Sequence, residues 1–286
     1  MSTYGSLDNY NYTKKRIYMD NLFYEEFLQN KRVPIGYHNV LLEKLQRAQC
    51  ALLEMFSERW PFRHRLKIPS ARVKLLVNIS KTSSWHAYAI NSRHWRRHVC
   101  IACGWIADIL PREVSIFEPG CGSGANLLWL ASQGFHNVSG SDIDESALQL
   151  CNALQMETNI SFPVWKDDGI QPQLPPQPCN VILSVNWLYH IKGASLDAFV
   201  ETYLPYLTSR GAIVCDMVDS AFNHVENNMY HTKDWNKPVA ERRPSEYTLR
   251  MFGDEVAHVA ARHGLRIVRH AKIHGMPQRA VYMLAR

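Results

Sequence analysis

Val114-Ser115-Ile116-Phe117-Glu118 runs directly into Pro119-Gly120-Cys121-Gly122-Ser123-Gly124, and a second short run, Asn137-Val138-Ser139-Gly140-Ser141, ends on Asp142. Between the two, Leu127, Leu128, Leu130 and Ala131 recur at helical spacing as far as Gly134, a C-capping glycine. The stretch therefore reads as one β-α-β unit. A glycine turn lies at its helix entrance and a carboxylate at the tip of each strand. Glycine at such a turn lets the backbone approach a ligand closely, because no Cβ stands in the way.

Two ligand classes compete for this unit. Gly120-x-Gly122-x-x-Ala125 fits the dinucleotide fingerprint, with Asp142 as the later acid that holds a ribose. A pyrophosphate, however, is repelled by a carboxylate at Glu118, whereas a cationic ligand is attracted to it. A plainer alternative leaves Asp142 with Glu145, or Asp144 alone, as the start of the next helix. The pattern Glu118-x-Gly120-x-Gly122-x-Gly124 followed by Asp142 closely resembles motif I and its acidic partner in class I S-adenosylmethionine-dependent methyltransferases. The resemblance implies that Glu118 faces the methionine end of S-adenosylmethionine. It implies too that the turn Gly120, Cys121, Gly122 and Gly124 makes room for the cofactor, that Asp142 holds the ribose hydroxyls, and that Ile143 packs on the adenine.

The rest of the chain extends the α/β alternation. Ala147, Leu148, Cys151 and Leu154 mark a helix, and Phe162, Val164 and Trp165 a short strand ending at Lys166-Asp167-Asp168. Val181 to Val185 is a continuous apolar run suited to a central parallel strand. Leu196 to Leu207 reads as a helix, Ala212 to Cys215 as a strand, and Leu249 to His263 as a helix capped by Gly264. Leu265 to His270 and Ala280 to Leu284 close the chain as an antiparallel edge pair joined through Gly275-Met276-Pro277. The expected fold is a doubly wound α/β domain with a mostly parallel, seven-stranded sheet, over residues 93–286. Residues 1–92 are expected to form a helical lid or substrate-binding segment, with Leu41, Leu45, Ala48, Leu52 and Phe56 on one helix face.

Further positions follow from the resemblance. Asp168, with Asp167 as the fallback, sits where the family holds the adenine amino group, and Ser184 and Val185 lie beside the sulfonium. Two departures stand out. Asn180 replaces the usual Asp at the start of the fourth strand, and Asn186-Trp187-Leu188-Tyr189 lacks the Pro-Pro used to methylate base amino groups. His190 follows that strand, at the crevice side of a parallel sheet, where an imidazole can take a proton from an acceptor hydroxyl. Asp216, His224 and His231 are further candidates for the same task.

The chain has 286 residues, 46% hydrophobic and 20% charged, which suits a globular protein with a sizeable core. No apolar run reaches membrane-spanning length, and seven scattered cysteines favour reduced thiols and a cytoplasmic location. Cys100-x-x-Cys103 has metal-ligand spacing but no second pair, and both cysteines fit a buried helix face. The formal charge of +6 permits an anionic partner. Arg63-His64-Arg65-Leu66-Lys67 and Arg93-His94-Trp95-Arg96-Arg97-His98 could form an RNA-binding surface, a clamp on an anionic substrate or the cofactor carboxylate, or a solvated face. The resulting expectation is an S-adenosylmethionine-dependent enzyme that methylates a hydroxyl on a small-molecule or sugar-type acceptor. The alternatives are an RNA methyltransferase and a non-catalytic binding module of the same fold.

Overall fold

A computed structural model describes residues 61–174, 176–220, 230–231, 234, 237–273 and 277–286. The amphipathic face from Leu41 to Phe56, with His224 and the Gly275-Met276 part of the final joint, lies outside the described residues. The helices are α1 Ser70–Ile79, α2 Ser84–Asn91, α3 Arg97–Ile109, α4 Ala125–Ser132, α5 Glu145–Thr158, α6 Leu196–Tyr203 and α7 Gly253–Arg262. The strands are β1 Ile116–Pro119, β2 Val138–Asp142, β3 Val164–Lys166, β4 Cys179–Ser184, β5 Leu207–Asp219, β6 Arg250–Met251, β7 Arg266–Ile273 and β8 Arg279–Ala285.

The sheet order is β3-β2-β1-β4-β5-β8-β7, with β6 paired to β5 off this path. β1 to β5 run parallel, and β8 enters antiparallel between β5 and β7. Along each central strand the side chains alternate between two cores, as the pleat requires. Ile116, Val181, Leu183 and Val214 join a core built with α3, α4 and α5. Phe117, Ile182, Ile213 and Cys215 join the opposite core, with α6 and α7. Leu66, Val73, Leu76 and Ile90, all ahead of α3, belong to the first of these cores. The segment from residue 61 to α2 is thus packed onto the domain.

Two expectations needed adjustment. The helix expected through Leu207 ends at Tyr203, because Pro205 falls in a 3-10 turn over Leu204–Tyr206 and Leu207 already begins β5. The helix expected from Leu249 starts at Gly253. Glu255 Oε2 accepts the Phe252 backbone N–H at 2.6 Å and fixes the helix start there, which frees Arg250–Met251 to pair with Val218 and Asp219 as an eighth strand. The final two strands form the expected antiparallel pair at one end of the sheet, with β7 outermost and β8 against β5, which places Arg279 opposite Val218.

Asn180 answers the doubt raised by the missing Asp. Its Oδ1 accepts from the Ser115 N–H at 3.0 Å and its Nδ2 donates to Thr208 Oγ1 at 3.2 Å, so it ties the start of β4 to its neighbours on both sides.

Candidate active site

The glycine turn after β1 holds three left-handed residues in alternation, Gly120 at φ 65°, Gly122 at 54° and Gly124 at 66°. L-residues other than glycine enter this region at a cost of roughly 1–2 kcal/mol each. The space their missing side chains release is not shared alike. A Cβ on Gly124 would stand 2.4 Å from Cys151 Sγ, so this glycine serves helix–helix packing. A Cβ on Gly120 would meet the Trp187 indole at 2.2 Å, and one on Gly169 would meet it at 2.7 Å. Trp187 therefore reaches from the end of β4 across the turn to the β3 loop. A Cβ on Gly122 would stand 3.2 Å from the His86 ring of α2.

Glu118, next to last in β1, is 3% exposed. Asn126 Nδ2 donates to its Oε1 at 2.6 Å, while Oε2 is buried without a hydrogen-bond partner. Burial pushes the carboxyl up to about 8, against the opposing pull of Asn126 and the nearby Arg93. A buried acceptor left open in this way needs a donor or cation from a ligand. Arg93 presents the complement. It is fully buried, its Nε donates to the Ala125 carbonyl at 3.3 Å, and both terminal nitrogens lack a hydrogen-bond partner.

At the tip of β2, Asp142 Oδ2 accepts the Gly122 N–H at 2.7 Å and Oδ1 accepts the Asp144 N–H at 2.9 Å. The helix that follows is capped by Asp144, whose Oδ1 accepts from the N–H groups of Ser146 and Ala147. Asp142 is therefore not the cap, and its carboxylate braces the glycine turn from the crevice side. Ile143, next in the chain, is 65% exposed, an apolar side chain at the mouth of the crevice. His86 stands near Asp142. Burial holds its imidazole below the usual histidine value although Asp142 and Asp144 favour its charge.

Asp167 and Asp168 divide their roles. Asp167 Oδ1 accepts from Asp168 N and Gln173 N, and its Oδ2 from Leu174 N, all at 2.9 Å. Both of its oxygens are thus committed to shaping the loop after β3. Asp168 uses Oδ1 on the Ile170 N–H at 2.8 Å. Its second oxygen is the freer of the two candidates for a ligand amino group.

The tip of β4 holds the buried Ser184, whose Oγ is unpartnered, then Val185 and Asn186. Asn186 adopts φ 61°, strained for a residue with a side chain. A buried network fixes it there. Its N–H donates to Asp216 Oδ1 at 2.7 Å, and its Oδ1 accepts from Arg279 Nη1 at 3.1 Å and lies 3.1 Å from His98 Nε2. The Tyr189 hydroxyl donates to Asp216 Oδ2 at 3.1 Å and lies against Arg279, whose guanidinium is 3.6 Å from the same carboxylate oxygen. Burial and the flanking Arg279 and Arg96 keep His98 neutral, well below the usual histidine range. Asp216, offered as a possible base, is spent inside this network.

His190 is exposed, in the turn after β4, with its ring against Tyr189 and Tyr247 at 4.7 and 5.4 Å. Its Nδ1–H donates to the Glu246 carbonyl at 3.1 Å, leaving the Nε2 lone pair as acceptor. Although the residue is open to solvent on one side, desolvation of the ring among its packed neighbours lowers its basicity below the ordinary histidine value. His231 is instead paired with Glu246 Oε2 at 2.6 Å.

The basic clusters are largely turned inward. Arg63 makes a bidentate pair with Asp108 at 3.0 Å, and His64 is buried and stacked on Trp129 at 4.4 Å. Arg93 and His94 are buried, and only Arg65, Lys67 and Trp95 are well exposed. Cys103 lies in the core of α3, and Cys100 Sγ donates to the Arg93 carbonyl at 3.4 Å. Several residues of this crevice were not anticipated: His86, Asn126, Trp187, Tyr189 and Arg279. Chain order gives no hint that His86 meets the glycine turn or that Arg279 meets Asn186. Trp187, two residues past the β4 tip, carried the best available signal.

Residues 116–211 match the sequence family described as methyltransferase domain. A ribosomal protein L11 methyltransferase of Methylobacillus flagellatus is 34% identical over 76 residues, which cover 26% of this chain and 25% of that protein. The match thus spans about a quarter of that relative's length. The magnesium protoporphyrin IX methyltransferase of Synechocystis PCC 6803, solved with S-adenosylhomocysteine, superposes with a TM-score of 0.54 at 13% identity, over 85% of this chain and 99% of that one. A Pyrococcus horikoshii OT3 protein superposes with a TM-score of 0.52 at 14% identity, over 68% and 92%. At these identities the superpositions establish the shared fold.

Proposed function

We propose that this chain, whose residues 116–211 match a methyltransferase domain family, is a class I S-adenosylmethionine-dependent methyltransferase that methylates a hydroxyl on a small-molecule or sugar-type acceptor. The observation that carries the cofactor half of this reading is the buried, unpartnered Oε2 of Glu118 at the β1 tip. S-adenosylmethionine, when bound, supplies an electrophilic methyl group on a sulfonium. Glu118 would take its ammonium and Arg93, with two unpartnered N–H-bearing nitrogens, its carboxylate. Asp142 would hold the ribose hydroxyls, Ile143 would cover one adenine face, and Asp168 would accept from the adenine amino group.

His190 is the residue assigned to the acceptor. Its Nε2 is free to take the hydroxyl proton, since Nδ1 is committed to the Glu246 carbonyl. Positioning supplies much of the acceleration of an in-line displacement. The braced Asn186–Asp216–Tyr189–Arg279 network holds the β4 tip, and with it His190, in place. A small acceptor is favoured over RNA because Arg63 is paired with Asp108 and Arg93 and His94 are buried. The test is methyl transfer from labelled S-adenosylmethionine to fractionated cell extracts, with and without nuclease. Label in a nuclease-resistant small-molecule fraction supports the reading, and label lost on nuclease treatment refutes it.

A further inference from the structure

We infer that Arg96 anchors a carboxylate on the methyl acceptor, so that the substrate is an organic acid; this rests on the methyltransferase reading above. Arg96 stands between a 3-10 turn at Arg93–Trp95 and the first residue of α3. Its guanidinium lies over the Trp85 ring at 5.2 Å and makes no hydrogen bond or ion pair among the described residues. Its neighbours locate it in the crevice. Its backbone N–H donates to the Arg93 carbonyl at 3.0 Å, and the Trp85 ring it covers packs edge-on at 5.3 Å against His86, whose ring borders Gly122 of the glycine turn.

The nearby carboxylates are already committed. Asp216 gives one oxygen to the Asn186 N–H and the other to Tyr189, with Arg279 at 3.6 Å. One oxygen of Glu118 serves Asn126, and the other lies buried opposite the place assigned to the cofactor ammonium. Three guanidiniums, Arg93, Arg96 and Arg279, thus lie around Glu118 and Asp216, while Asp142 accepts from the Gly122 and Asp144 N–H groups. Arg93 is the guanidinium with buried vacant donors beside Glu118, and it serves the cofactor carboxylate. Arg279 is held by Asn186, Tyr189 and Asp216. Arg96 is left with a charge to neutralise and a planar fork suited to a second carboxylate. The Trp85 face beneath it offers a flat apolar wall for whatever carries that carboxylate.

The probes are benzoate and its uncharged isostere benzamide, titrated by saturation-transfer NMR into the full chain saturated with S-adenosylhomocysteine. Benzoate should bind and benzamide should bind at least about tenfold more weakly, the worth of one charge-assisted hydrogen bond. Arg96→Gln should abolish the preference for benzoate while the dissociation constant of S-adenosylhomocysteine stays within about twofold. Arg96→Lys keeps the charge and loses the fork, and should retain a reduced preference; it reads the same contact if the Gln variant does not fold. Equal binding of the two probes to the wild type would overturn the inference. So would a tenfold or larger loss of S-adenosylhomocysteine affinity in Arg96→Gln, which would make Arg96 the cofactor's clamp. Failure of the wild type to bind S-adenosylhomocysteine would instead remove the methyltransferase reading, and the inference with it.

Discussion

Glu118 supports a prediction that can be worked in numbers. Its carboxyl lies at about 8 in the protein without ligand. At pH 7, one unit lower, about one-tenth of the molecules carry a carboxylate there. Pairing with the ammonium of S-adenosylhomocysteine requires the ionised form, so binding at pH 7 should release about 0.9 protons, falling to about half a proton at pH 8. Apparent affinity should rise close to tenfold between pH 6 and 7 and flatten above 8. Breaking a buried ion pair costs about 3–5 kcal/mol, and ionising Glu118 at pH 7 offsets about 1.4 kcal/mol of this. Glu118→Gln should therefore weaken binding by about 1.5–3.5 kcal/mol, roughly 10- to 400-fold, and abolish the proton release. Titration calorimetry in two buffers of different ionisation enthalpy reads both quantities. The same residue sets the sign of a stability effect. Its folded pKa, about 8, lies above the unfolded value of 4.5, so the protonated group favours folding at low pH and that stability is lost as pH rises from 4.5 through 8. Glu118→Gln should gain melting temperature over the wild type across that window and show no gain below it. No proton release at pH 7, or release that survives Glu118→Gln, would refute the reasoning.

Other predictions test neighbouring parts of the site. Asp142→Ala removes the acceptor for ribose hydroxyls as well as the brace on Gly122 N–H; at ~1.5–3 kcal/mol per charged hydrogen bond, S-adenosylhomocysteine affinity should fall at least about tenfold. An unchanged dissociation constant would reduce Asp142 to a brace of the turn. Gly124→Ala forces a Cβ to 2.4 Å from Cys151 Sγ at φ 66°; strain and overpacking together should cost about 2–5 kcal/mol. Adding Cys151→Ala should restore the overpacking part only, which thermal melts would resolve. His190→Ala should lower kcat by roughly 10²–10⁴ without altering cofactor affinity. It should also remove an inflection that desolvation by the packed neighbours and the Arg279 and Arg96 charges shift below the ordinary histidine value; near-parental turnover would clear His190 of the role. RNA should show little salt-dependent affinity, and tight tRNA binding lost in Arg65→Ala and Lys67→Ala would contradict the inward-facing clusters.

The β1–α4–β2 unit was legible because it is local. Glu118, the glycine turn and Asp142 lie within 25 residues of each other in the chain (118 to 142), and strand, turn and helix each carry their own periodicity. The capping alternative could be resolved only in three dimensions, where Asp144 takes the helix N–H groups and frees Asp142. What could not be read was long-range. Arg279 reaches Asn186 because β8 inserts between β5 and β7, a register that no local pattern announces. His86 reaches Gly122 only because α2 packs onto the domain. The basic run at Arg93–His98 looked like a surface because composition does not report burial; Arg93 is enclosed by α4, with its guanidinium 5.1 Å from the Trp129 ring. The glycines illustrate the same limit. Their spacing pointed to a ligand cradle, yet Gly124 makes room for Cys151 and Gly120 for Trp187.

The central claim is that the β1–β2 crevice is built for a cationic amino-acid nucleoside rather than a dinucleotide. Equilibrium dialysis of the full chain against labelled S-adenosylmethionine, with S-adenosylhomocysteine and NAD as separate competitors, tests it directly. One molecule should bind per chain, S-adenosylhomocysteine should displace it, and NAD in large excess should leave it in place. Displacement by NAD, or no retention of label by the wild-type chain, would contradict the account.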